Sequence, residues 1–275
     1  MSAHLEQPLP DYESPPVIEV VIGAQFTPIP GFLPTHQGLF WQLVRDEYPR
    51  VEAVPPLIPT HENFEPSMVD EPRQVEFHSA APIPRLFLID TTDSWLIQLQ
   101  PDRLLQNWRK VGATDSYPRY LAVRNRFDSA LATLQNFCIT ENLPPPVIDQ
   151  LETTYINHIP VGTNSITVEN TCNVFPDFTW QSRARFLPPP ESVGWKMTFV
   201  MPNRLGRLYV SVRRAIRKSD NIGVILCELT VRGRPAESTP HEIATWYDMA
   251  REWIVRSFAD LVNDDFQMKH WGRKA

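Results

Sequence analysis

Proline, more than any other residue, limits what this chain can build. It occurs 28 times against 10 glycines, about twice its ordinary share of roughly 5%. It is also clustered, at Pro15-Pro16, from Pro28 to Pro34, from Pro49 to Pro72, at Pro144-Pro145-Pro146 and at Pro188-Pro189-Pro190. A proline has no N–H to give and its ring fixes φ, so none of these clusters can lie inside a helix or a central strand. They cut the 275 residues into blocks, and the blocks must carry the regular structure.

Between the first two clusters, VIEVVIGAQF (17–26) is β-branched and almost continuously apolar, as expected of a strand covered on both faces. A helix is expected from Thr35 to Tyr48 with Leu39, Phe40, Leu43 and Val44 on its inner side, followed by a loop over 49–72 that is long for a segment without structure. Strands are expected at RQVEFH (73–78), RLFLID (85–90), WLIQLQ (95–100) and LLQNWRK (104–110). Alternation in WLIQLQ places Trp95, Ile97 and Leu99 on one face and Gln98 and Gln100 on the other, away from the apolar layer. Apolar residues at helical spacing, from Tyr120 through Val123, Phe127, Leu131 and Leu134 to Cys138, predict a helix that opens at Ser116, takes Pro118 in its first turn and stops before Pro144.

The second half repeats this order. Strands are expected at 147–159, 178–186, 195–201, 206–216 and 222–231, and a last helix over 240–262. That helix opens on a capping box, with Thr239 as N-cap, Pro240 at the first helical position and Glu242 three residues on. Ile243, Trp246, Tyr247, Ala250, Ile254, Phe258 and Leu261 mark its apolar face. The predicted class is α+β with two similar lobes, 1–143 and 144–275, each an antiparallel sheet covered by a long helix. Element order carries this repeat, and a single continuous sheet gripping both helices is the alternative.

The net charge of −6 and pI near 5.7 weigh against a protein that coats nucleic acid, which needs an excess of positive charge on one surface. Cys138, Cys172 and Cys227 are too few and too scattered for a disulfide scaffold or a four-thiolate zinc site, and are expected as buried free thiols in a reducing compartment. The seven histidines form no HxxxH or HxH pair. There is no GxSxG, no phosphate-cradling glycine loop and no dinucleotide fingerprint. No metal, cofactor or catalytic residue is therefore expected, and the reading favours a binding protein over an enzyme. No apolar run approaches the roughly 18 residues of a membrane span, and the first residues lack the basic start and apolar run of a signal peptide. The cytoplasm is the expected location.

The densest group of directed polar side chains is Gln98, Gln100, Arg103, Asn107, Trp108 and Arg109, with Tyr117 and Arg119 close behind and Tyr155 and Asn157 in the second half. Amides and guanidinium groups offer fixed donors and acceptors and Trp a flat apolar platform, a mix suited to a planar polar ligand or a peptide backbone. The competing expectation is that Gln98 and Gln100 form a solvated strand face while Arg109 and Arg119 pair with neighbouring carboxylates. A second candidate lies in RLGRLYVSVRRAIRK, where alternation puts Arg207, Tyr209, Ser211, Arg213 and Arg217 on one face with Lys218 at the end. Such a stripe suits RNA or nucleotide phosphates, with Trp108 as a stacking surface, or an acidic partner. Its structural alternative is an edge strand protected by charge. Trp271, in the polar tail MKHWGRKA, either contacts another chain or packs back onto its own sheet; a homodimer is left open.

Four stretches together, PPVIEVVIGAQF (15–26), LIQLQPDRLLQNWRK (96–110) with YPRY (117–120), TYINHI (154–159) and the last helix ending at Trp271-Gly272, resemble a sporadically distributed, functionally uncharacterised family of prokaryotic proteins. The central motif is the specific one. The family pattern carries a basic residue shortly before Tyr-Ile-Asn, where this chain has Glu152 and Thr154, which argues against an anion site on that strand. The resemblance implies membership without an activity. Sporadic occurrence implies an accessory role in a prokaryotic defence or toxin–antitoxin locus. The expected function is accordingly a non-enzymatic binding protein whose sheet face or inter-lobe groove receives a partner protein or small ligand. RNA or nucleotide binding through Arg207 to Lys218 comes second, and an enzyme third.

Overall fold

The computed structural model describes residues 8–64, 82–112, 114–162, 166–180 and 183–274. The blocks between proline clusters form β1 (Asp11–Tyr12), β2 (Val17–Phe26), α1 (Pro34–Val44), β3 (Arg50–Val54), β4 (Arg85–Ile89), β5 (Trp95–Gln100), β6 (Arg103–Arg109) and α2 (Tyr120–Thr140) in the first half. The second half supplies β7 (Ile148–Pro160), α3 (Val168–Val174), β8 (Gly194–Val200), β9 (Gly206–Arg217), β10 (Ile222–Gly233), α4 (Pro240–Leu261), α5 (Asp264–Trp271) and β11 (Arg273–Lys274). The class is α+β.

Among the described residues, nine strands make one antiparallel sheet in the order β3-β4-β5-β6-β2-β7-β10-β9-β8, while β1 pairs with β11. The joint is β2 against β7, where Val20, Val21 and Ile22 stand opposite Tyr155, Thr154 and Thr153. The strands thus form the continuous sheet that grips both helices, and the boundary near residue 143 falls between α2 and β7 inside it. Outward from the joint the first half runs β2, β6, β5, β4 and the second β7, β10, β9, β8, and each half then crosses its strands with a long helix.

Alternation sorts the two faces. Val20, Ile22 and Ala24 of β2, Ile97 and Leu99 of β5, Leu104 and Trp108 of β6, and Cys227, Leu229 and Val231 of β10 belong to one buried core, with α2 over β6 and β2 and α4 over β10 and β7. α4 follows its expected stripe, burying Trp246, Tyr247, Ala250, Ile254, Phe258 and Leu261, and Thr239 Oγ accepts the Glu242 N–H at 3.3 Å. Tyr247 adds a second tie between the halves. Its ring meets Phe127 of α2 edge-on at 5.4 Å, and its hydroxyl donates to the Gly23 carbonyl of β2 at 2.8 Å. Trp271 packs back into the core against Tyr12 and Phe258.

Several expectations are corrected. α1 ends at Val44, and Leu39 and Leu43 are exposed; Gln37 takes the inner position beside Phe40 because its amide donates to the Pro84 and Leu99 carbonyls. α2 opens at Tyr120 instead of Ser116, since the residue before Pro118 is disfavoured in helical conformation and Arg119 has φ 72°. In the expected loop 49–72, residues 50–54 are an edge strand on β4, and 65–72 lie outside the described residues, as does the expected strand 73–78. The described residues of 178–186 form no strand; Phe178 instead lays its ring on Trp195 at 4.2 Å. Cys138 and Cys227 are buried thiols, but Cys172 is half-buried, and its Sγ–H donates to the Phe178 carbonyl. Among the described residues no helix is long and apolar enough to cross a membrane.

Two glycines test the packing in opposite directions. Gly233 faces Gly206 across β10 and β9, and a Cβ on it would lie 2.0 Å from the Leu205 carbonyl oxygen and 2.5 Å from the Gly206 Cα. Gly233→Ala is expected to cost about 1–3 kcal/mol, read as a lower urea midpoint. Gly38, inside α1 with no atom within 4 Å of an added Cβ, should gain about 0.4–1 kcal/mol on Gly38→Ala.

Candidate functional site

The face of the sheet away from the long helices carries a polar rung. Gln100 of β5 stands opposite Arg103 of β6, Arg103 opposite Gln25 of β2, and Gln25 opposite Gln150 of β7. All four are buried. A buried primary amide has two donor hydrogens and an acceptor oxygen, and leaving them unpaired costs on the order of 1–3 kcal/mol per group. Within the rung the Arg103 guanidinium donates to Gln25 Oε1, and Gln100 Nε2 donates to Asp102. The remaining groups must find partners above the sheet.

Arg103 Nε is left without one and Gln25 Nε2 lies 3.3 Å from the His61 ring nitrogens; the others find them on the main chain of residues 55–64. Gln100 Oε1 accepts the Leu57 N–H and its Nε2 donates to the Leu57 carbonyl, both at 3.0 Å. Arg103 reaches the Ile58 carbonyl at 3.5 Å, and Gln25 Oε1 accepts the Thr60 N–H at 3.2 Å. Gln150 Nε2 donates to the Thr60 carbonyl at 2.5 Å while its Oε1 accepts the Glu62 N–H at 2.9 Å. The segment therefore passes β5, β6, β2 and β7 in sheet order within six residues. Strands lie about 4.8 Å apart and a chain advances at most about 3.4 Å per residue, so it must run extended, across the strands.

Its far end is held by charge. The Glu62 side chain is only 2% exposed. Its carboxylate accepts from Arg207 Nη1 at 2.8 Å and from the Tyr209 hydroxyl at 2.8 and 2.7 Å, one contact to each oxygen. Burial, then the bond to Glu62, pushes the Tyr209 phenol up to about 12, so it stays a donor. Arg207 is likewise raised above its ordinary value by the hydrogen bond that it donates to Glu62. Phe64 places its ring 4.2 Å under the Arg207 guanidinium.

A second polar line crosses the same face. Arg85 Nη1 donates to Gln98 at 2.7 Å, Gln98 to Asn107 at 2.8 Å, and Asn107 to Glu19 at 2.6 Å. Burial raises the Glu19 carboxyl above its usual range, against the opposing pull of Asn107 and Arg109. Arg109, opposite Glu19, also donates to the Asp93 carbonyl at 2.6 Å.

The ten expected site residues divide by face. Gln98, Gln100, Arg103, Asn107 and Arg109 share the open face, Gln100 and Arg103 on one rung and the other three on rungs of their own; the two glutamines are buried, not solvated. Trp108 is one residue on from Asn107 and so points the other way, into the core against Tyr117 at 5.4 Å. Tyr117 and Tyr155 join hydroxyls at 2.9 Å, and Asn157 donates to the Cys227 carbonyl, all on the helix side. Arg119 lies at the surface on Asp11 and the Tyr12 carbonyl. A base-stacking role for Trp108 is thereby corrected: the ring is 3% exposed under α2.

In the basic stripe, Arg207 holds Glu62 and Arg217 holds Asp220; Arg213 and Lys218 are exposed. From Arg207 to Arg213 the stripe is no edge strand, because β9 pairs there with β10 on one side and β8 on the other; residues 214–217 pair with β10 alone. Glu152 is bonded to Arg232 at 3.0 Å. A pocket lined by Ile166, Cys172, Trp180, Glu191 and Arg214 contains none of the expected residues. Among the described residues, no group of three or more His, Cys, Asp and Glu is placed to hold a metal ion.

Gln25, Gln150 and Glu62 were not among the expected residues. The signal for the glutamines was present: an amide inside an apolar strand cannot stay unpaired. Glu62 carried none, because its partners lie 145 and 147 residues away. No family model, curated protein or solved structure matches the chain.

The raised Glu19 carboxyl generates a pH prediction. With the folded value above the ordinary 4.5, the native state binds more protons than the unfolded one in the window above that value, so this group's contribution to stability falls as pH rises through it. Glu19→Gln keeps an oxygen for Asn107 and removes the titration. Thermal melts should show the variant gaining on the wild type between about pH 4 and about pH 7; a constant difference across that range would contradict the assignment.

Proposed function

We propose that this chain is a non-enzymatic binding protein that takes an extended peptide segment of a partner protein across the rung Gln100, Arg103, Gln25 and Gln150. One observation carries the reading: side-chain amides pair with both main-chain groups of Leu57 and of Thr60, and with the N–H of Glu62. Main-chain pairing selects an extended conformation and tolerates many sequences, the logic of peptide recognition at sheets. Residues 55–64 are on this view the resident occupant. Ile58, Pro59, Thr60 and His61 face solvent, so exchange for another segment leaves the core closed.

The two halves act as similar lobes, each with its own long helix, and the occupant bridges them from β5 to β9. The stretch LIQLQPDRLLQNWRK, on which the family resemblance chiefly rests, supplies Gln100 and Arg103 of the rung, which supports extending the reading to that family. We place the protein in the cytoplasm as an accessory component of a prokaryotic defence or toxin–antitoxin locus, the role that the resemblance implies.

The test begins with Glu62→Pro in the full chain, which removes both the N–H held by Gln150 and the carboxylate held by Arg207. Panning a random decapeptide display library on this variant should yield binders. Their affinity should drop by about 10-fold or more, the equivalent of roughly 1.4 kcal/mol, when Gln100→Met and Gln150→Met are added, since Met keeps the volume and removes the amide. A library with no amide-dependent binder refutes the peptide reading.

A further inference from the structure

Residues 55–64 form a strap in which one acidic side chain is closed off from water. Ile58, Pro59 and Thr60 turn their side chains to solvent and the exposed His61 sets its ring 3.3 Å from Gln25 Nε2, while Glu62 is drawn in until its side chain is 2% exposed. Its N–H is fixed by Gln150, which aims the carboxylate toward β9, and both oxygens then meet donors on that strand. Arg207 and Tyr209 are two residues apart on β9 and so share the open face.

Local charge explains why an anion belongs there. Arg207 stands directly opposite Arg232. Arg232 is neutralised by Glu152 at 3.0 Å, which leaves Arg207 with Glu62 as its carboxylate at 2.8 Å. The Arg207 side chain is 20% exposed. A mostly buried guanidinium beside a second one is costly without a counter-charge. Removing Glu62 therefore leaves a vacancy with a defined sign and two directed donors, one of them a phenol held protonated over the physiological range. The aromatic ring of Phe64 beneath the guanidinium adds a preference two residues further on.

We infer that Arg207 and Tyr209 form a carboxylate subsite at the β9 end of the groove, so that the segment admitted in place of 55–64 carries an acidic side chain two residues after the one whose carbonyl Gln150 holds. This inference rests on the peptide-binding reading above and names its ligand class: an extended acidic segment, best followed two residues later by an aromatic. The strap is then a self-ligand that satisfies the same subsite until a competing acid displaces it.

The experiment uses the full chain bearing Glu62→Pro and two labelled decapeptides in trans, PPLIPTHENF with the sequence of residues 55–64 and its Glu62→Gln form, at one ionic strength. Limited proteolysis first reports on the strap: cleavage within 55–64 should be faster than in the wild type, and unchanged cleavage overturns Glu62 as the anchor. The acidic peptide should then bind about 10-fold or more tightly than the amide form by fluorescence anisotropy. Arg207→Met should abolish the difference. Because that variant also disturbs Arg232 and Phe64, Tyr209→Phe, which deletes a single donor from an unchanged ring, serves as the second and should narrow the difference several-fold. Equal binding of both peptides that still weakens with Gln100→Met and Gln150→Met overturns the carboxylate subsite and leaves the groove standing. Binding of neither peptide overturns both.

Discussion

A buried amide has to be paired, and much of the open face of this sheet follows from that requirement. Gln100, Gln25 and Gln150 stand in one rung with Arg103 between them, in a position where water has been removed. Strand backbones have already spent their own hydrogen bonds on the ladder, so the side chains turn to the only other dense source of donors and acceptors, a peptide main chain. The strap over them is short and lacks any helix or strand of its own. It is placed by glutamines at one end and by an ion pair at the other.

The rung exists because the two halves share a sheet. Three of its members come from β5, β6 and β2 and the fourth from β7, and the β2–β7 joint brings Gln25 opposite Gln150. That joint is guarded on the helix side by Tyr247, which belongs to the second half in sequence but bonds the first half's central strand at Gly23. Gly23 has a task on the open side too. A Cβ there would lie 2.1 Å from Leu105 Cδ2, so its bare backbone lets Leu105 lie flat between the two polar lines.

Much of this was legible in the residues. The alternation of WLIQLQ assigned Gln98 and Gln100 to the face opposite Ile97 and Leu99, and the stripe in α4 named its buried side before any packing was known. What misled was the step from opposite the core to exposed to water, because period-2 alternation reports which side of a strand a residue takes and is silent on what covers that side. The same limit explains Trp108, whose neighbour Asn107 is polar and open-faced while Trp108 is core. It also explains the loop 49–72: proline-rich and acidic, its described part looked unstructured because nothing nearby in the chain bonds it.

Proline clusters, hydrophobic period and the Thr239 cap determined by themselves that this is an α+β protein with long helices after each set of strands, since those signals act over a few residues. Only the tertiary structure decided that the strands would merge into one sheet, that Gln25 would meet Gln150, and that Glu62 would find Arg207 and Tyr209. Each of those depends on strand register and on contacts more than a hundred residues apart, which local pattern does not encode. The physical reason is that a strand offers its two faces and two edges without naming who fills them; the partner is chosen only when the whole chain has closed on itself.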